Sequence, residues 1–79
     1  MYKTFKEIKC GEFFYDGNND LCVKVKTVIA DEELFWASES FNAINLCENI
    51  NYYRKWFENN DEKFKMASDT EVLNLIVGW

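Results

Sequence analysis

The chain has no histidine, no proline and only three glycines in 79 residues. Without histidine there is no ordinary general base near neutral pH, and the commonest metal ligand is missing. Ser–His and Cys–His nucleophile pairs cannot form within one chain. Cysteine is scarce and odd in number: Cys10, Cys22 and Cys47 stand far apart with no CxxC pair. That spacing suits neither a disulfide framework nor a zinc site, and it reads as reduced thiols in a cytoplasmic protein. Long apolar runs are also lacking, so no membrane span is expected. The charged start, Met1–Cys10, has no apolar core of a signal peptide.

Apolar residues make up 48% of the chain and aromatics 18%, enough to fill the core of a single small domain, residues 1–79. The net charge is −5 and unevenly spread. Residues 1–30 hold five lysines against four acids, and residues 31–79 hold four basic groups against ten acidic ones. This balance argues against general nucleic-acid binding, which wants a basic face.

Local patterns predict mostly strands. Phe5 and Ile8 mark a short helical turn that stops at Gly11. Glu12–Tyr15 and Leu21–Ile29 flank Asp16-Gly17-Asn18-Asn19-Asp20, which predicts a β-hairpin with a primed or bulged turn. In its second strand Leu21, Val23 and Val25 alternate with Lys24 and Lys26, so the lysines are expected on a wet face. Residues 31–66 fit two descriptions. Leu34, Ala37, Phe41 and Ile44 fit a helix stripe, while Leu34–Ala37 and Ala43–Cys47 fit two short strands. Tyr52–Phe57 and Lys63–Met66 around Glu58-Asn59-Asn60-Asp61 suggest a second hairpin. Val72–Val77 is apolar and β-branched and reads as a final strand.

Taken in order, Phe5-x-x-Ile8-x-x-Gly11-Glu12-x-Phe14, the Gly17 turn, Val23-Lys24-Val25, Ala43-x-Asn45-Leu46 and Asp69-x-Glu71-Val72 form a pattern. It is similar to that of a group of short proteins common in tailed-phage genomes and prophages. The resemblance implies a mainly β fold, a small SH3-like β-barrel with a short N-terminal helical turn; the alternative is α+β with a helix within 31–66. It also implies a phage setting, where genes of this size often encode inhibitors of host enzymes or host defence. The segment Ile50–Lys65 is longer than the pattern needs, which is where a specific function would have been added.

No catalytic residue, metal ligand or cofactor site is expected. The acidic clusters Asp31-Glu32-Glu33 and Asp61-Glu62 lack EF-hand spacing and read as solvated turns. The aromatics exceed what so small a core hides. A partner-binding surface is therefore expected around Tyr52, Arg54, Lys55, Trp56, Glu58, Asp61 and Glu62, with Tyr52 and Trp56 exposed and Tyr53 and Phe57 on the opposite face. Trp36 and Trp79 are candidates for an oligomer contact, as a homodimer or larger assembly. The expected partner is a host protein in the host cytoplasm. Alternatives are a nucleotide immune signal, stacked on the aromatics and sequestered by an oligomer, or a role as a virion or assembly component.

Overall fold

The computed structural model describes residues 1–30, 40–47 and 53–77. Their fold is mainly β: two antiparallel sheets and one short C-terminal helix. The strands are β1 (Tyr2–Thr4), β2 (Phe13–Tyr15), β3 (Leu21–Val28), β4 (Phe41–Asn45), β5 (Arg54–Lys55) and β6 (Lys63–Lys65), followed by helix α1 (Asp69–Val77). One sheet has the order β2-β3-β4-β5 and the other pairs β1 with β6. An antiparallel bridge between Phe14 and Met66, and a hydrogen bond from the Ala67 N–H to the Phe13 carbonyl, tie β2 to the chain leaving β6. The fold is mainly β as expected, but β1 and β5 do not pair among the described residues, so the strands do not close into a barrel.

The N-terminal turn forms as its spacing predicts. The Ile8 N–H reaches the Thr4 carbonyl, and Phe5 and Ile8 drop into the core. Gly11 sits at φ +91°, a conformation that side-chain-bearing residues avoid, and its N–H donates to the Lys24 carbonyl at 2.7 Å. The predicted hairpin is also present, with Phe14 opposite Cys22. Its turn is the bulged kind: the Asn19 N–H meets the Asp16 carbonyl, and the Asp16 N–H meets the Asp20 carbonyl. The left-handed residue is Asn19 (φ +63°), not Gly17. The Asp16 carboxylate accepts the Asn18 and Asp20 N–H groups and fixes the turn.

Three sequence expectations are corrected. First, the alternation along β3 holds only at Leu21, which is buried, and Lys26, which is exposed. Cys22 lies in the core with Phe14 and Ala43, whereas Val23 and Val25 are only half-buried. Lys24 shares the core face of Cys22, and its stem carries the ammonium to the Phe5 carbonyl at 2.7 Å, over the Phe5 ring.

Second, the second hairpin does not form. β5 pairs with β4, β6 pairs with β1, and residues 58–62 cross between the sheets. The cause is Phe57. The side chain of the buried Asn42 donates to the Phe57 carbonyl and accepts from its N–H, both at 2.9 Å. This clamp turns the Phe57 ring inward, where it stacks on Phe5 (5.3 Å) and meets Phe14 and Phe64 edge-on.

Third, Val72–Val77 belongs to a helix, not a strand. Ser68 and Glu71 form a reciprocal capping box: the Ser68 N–H donates to the Glu71 carboxylate, and the Glu71 N–H donates to the Ser68 hydroxyl. Asp69 and Glu71 also complement the positive end of the helix. Four-residue hydrogen bonding begins at once, from the Val72 N–H to the Ser68 carbonyl. Within 31–66 the described residues contain strands and no helix; Leu34–Ala37 lies outside them.

Candidate functional site

The expected interface falls at the β5 edge of the larger sheet. Pairing of Ile44 with Arg54 and of Ala43 with Lys55 sets the two basic residues on opposite faces, because neighbours in a strand alternate. Lys55 therefore points to the side of the buried Ala43 and Cys22. Arg54 points to the side of Ile44 and Val23, in a cross-strand row that begins at Phe13. The Arg54 guanidinium lies 5.3 Å from the Tyr53 ring and 5.5 Å from the Phe41 ring, and its Nε donates to the Tyr53 hydroxyl. The strand does not present Arg54 and Lys55 as one basic patch.

Trp56 follows directly and is 45% exposed. Its indole N–H donates to the Glu58 carboxylate at 3.1 Å. Phe57, the next residue, is fixed in the aromatic core and clamped by Asn42, so the backbone under Trp56 is held on its C-terminal side. The sequence expectation of one inward and one outward face holds for Phe57 and Trp56. Glu58, Asp61 and Glu62 are all exposed. Glu58 joins Trp56, while Asp61 and Glu62 stand further along the crossing, where the Glu62 N–H closes a small turn onto the Asn60 side chain. Tyr52, Trp36 and Trp79 lie outside the described residues.

Asn42 and Asn45 are the residues that sequence reasoning missed. Both are buried. Asn45 donates to the carboxylates of Asp16 and Asp20, each at 3.2 Å, and accepts the Cys47 N–H. Two amides three residues apart in the otherwise apolar run Phe41–Asn45 are the available signal, since a buried amide is kept where it satisfies backbone or side-chain groups.

Burial shifts two of the titratable side chains near the sheet. Burial pushes the Cys22 thiol up to about 12, with the nearby Asp16 and Asp20 charges adding to the effect. Desolvation also raises Tyr15, whose hydroxyl donates to Glu71. Among the described residues no group of three or more Cys, Asp or Glu side chains could hold a metal ion. The described residues line shallow clefts. One of about 460 Å³ lies by Lys3, Glu12, Phe13 and Ser68, and one of about 410 Å³ lies between Tyr15, Leu21, Cys47 and Leu75. No helix among the described residues is long and apolar enough to cross a membrane. Comparison of the chain with protein families, with curated proteins and with solved structures finds no match.

Proposed function

We propose that the protein works by binding another protein, with Trp56 as the anchor, and that it blocks the surface it covers. The observation that carries this reading is an exposed indole on a pinned backbone, beside the half-buried Arg54 and the acidic Glu58. Tryptophan, tyrosine and arginine dominate the binding energy of protein interfaces. An anchor held rigid before binding loses little freedom on docking. The resemblance to small phage proteins adds the setting: an accessory protein that acts in the host cytoplasm on a host enzyme or defence factor.

Affinity capture with the immobilised protein tests this. Wild type recovers one host protein in stoichiometric amount, and Trp56→Ala, with an unchanged melting point, loses it. Equal recovery by the two proteins removes Trp56 from the mechanism. Recovery of nothing by wild type, together with a raised melting point in millimolar nucleotide, replaces the protein partner with a small-molecule one.

A further inference from the structure

Helix α1 meets the sheets through few groups. The Ala67 N–H donates to the Phe13 carbonyl, and this bond moors the chain to β2 just ahead of the helix. From Ser68 onward the hydrogen bonds turn local. Ser68 and Glu71 cap each other, and the Val72 N–H reaches the Ser68 carbonyl. Among the described residues, one hydrogen bond joins α1 to a strand: the Tyr15 hydroxyl of β2 donates to the Glu71 carboxylate at 3.1 Å. Lys65, whose ammonium lies 5.9 Å from the Tyr15 ring, and the N-terminal amine add their attraction to the Glu71 charge.

Packing does little to reinforce that bond. No α1 residue whose side chain is described is buried; Val72 and Leu75 are half-buried and the rest are exposed. The cleft of about 410 Å³ lies between helix and sheet, with Glu71 and Leu75 on one wall and Tyr15, Leu21 and Cys47 on the other. Over that area the walls lack the close contact that fixes a core helix. The described aromatic core contains no residue of α1, so the sheets lose no core side chain if the helix leaves.

We propose that α1 is a lid. It hinges between Ala67 and Ser68, is latched by Glu71 to Tyr15, and opens as a unit while the two sheets stay folded. Opening bares the sheet wall of the cleft, Tyr15 and the otherwise buried Leu21, to solvent. A nine-residue helix is too short to persist once undocked, so the open lid unwinds. Elements with few buried contacts are the ones that open locally. The lid is separate from Trp56 and does not depend on it.

Amide hydrogen exchange followed by NMR on the full chain tests this, with urea raised in steps below the unfolding midpoint. The amides of Leu73, Asn74 and Leu75 report on the lid. Those of Lys24 and Leu46, bonded between backbone segments of the larger sheet, report on the sheets. Relative to unfolded rates, the lid amides should exchange about tenfold faster or more than the sheet amides. Their rates should barely respond to urea, while the sheet rates climb, because urea sensitivity follows the surface exposed on opening. Tyr15→Phe keeps the ring and removes the latch, and it should speed the lid amides about fivefold at low urea, as loss of one hydrogen bond requires. The lid is overturned if its amides match the sheet amides in rate and urea response, or if they show no protection at all. The latch is overturned if Tyr15→Phe leaves their rates unchanged.

Discussion

At the scale of single residues, Phe57 holds the two sheets together. Its ring touches those of Phe5, Phe14 and Phe64, and its backbone is held by Asn42. Phe57→Ala should cost about 3 kcal/mol or more in urea unfolding, since it removes a ring from the middle of the cluster. That is a large part of the stability of so small a domain. Cys22 offers a second check. Cys10 and Cys47 are exposed and Cys22 is buried with its thiol pushed up to about 12. A thiol reagent at mild alkaline pH should titrate two groups in the native protein and the third only after denaturation. Rapid reaction of all three would show that the Cys22 pocket opens. Neither role is legible in the sequence: Phe57 is one of many aromatics, and the alternation that places Leu21 inward predicts Cys22 on the wet face with Lys24.

At the scale of elements, one device recurs. Glu7, Glu12 and Glu71 each accept the backbone N–H three residues earlier, from Thr4, Lys9 and Ser68. In all three, that backbone hydrogen bond is the chief reason the carboxyl lies below the ordinary glutamate range. A carboxylate favoured by folding contributes stability above its unfolded pKa and loses it as pH falls through the lower folded value. The urea midpoint should therefore drop as pH is lowered below about 4.3, the unfolded glutamate value. A midpoint that rises over that range would contradict these contacts. Ser68→Ala breaks one half of the capping box. It should reduce the helical signal and destabilise α1 by about 1 kcal/mol in thermal unfolding followed by circular dichroism. The same box explains why the chain is helical where composition predicts a strand. Val72–Val77 has β-prone composition, but Ser68-x-x-Glu71 with Asp69 is a local start signal that outweighs it. By contrast, Gly11 and the Asp16–Asp20 turn were legible because turn chemistry is local. The partners of β5 and β6 were not, because nothing in Glu58–Asp61 says that Phe57 will be claimed by Asn42, fifteen residues away.

At the scale of the whole molecule, the described residues form two open antiparallel sheets with an aromatic core, and Trp56 stands exposed at one sheet edge. Of the candidate interface, the sequence made Trp56 and its acidic neighbour legible, because alternation sends one of each adjacent aromatic pair outward. The same alternation parts Arg54 from Lys55, but only the pairing of β5 with β4 shows that Lys55 takes the side of Ala43 and Arg54 the side of Ile44. The central claim is that the protein acts by binding a protein through Trp56. The most direct test is the native mass by light scattering, alone and after mixing with host extract. The account predicts a 9.4 kDa monomer that moves into a discrete heavier complex, and a Trp56→Ala variant that stays a monomer in the same extract. A heavier complex formed equally by the variant, or no heavier complex at all with the wild type, would contradict it.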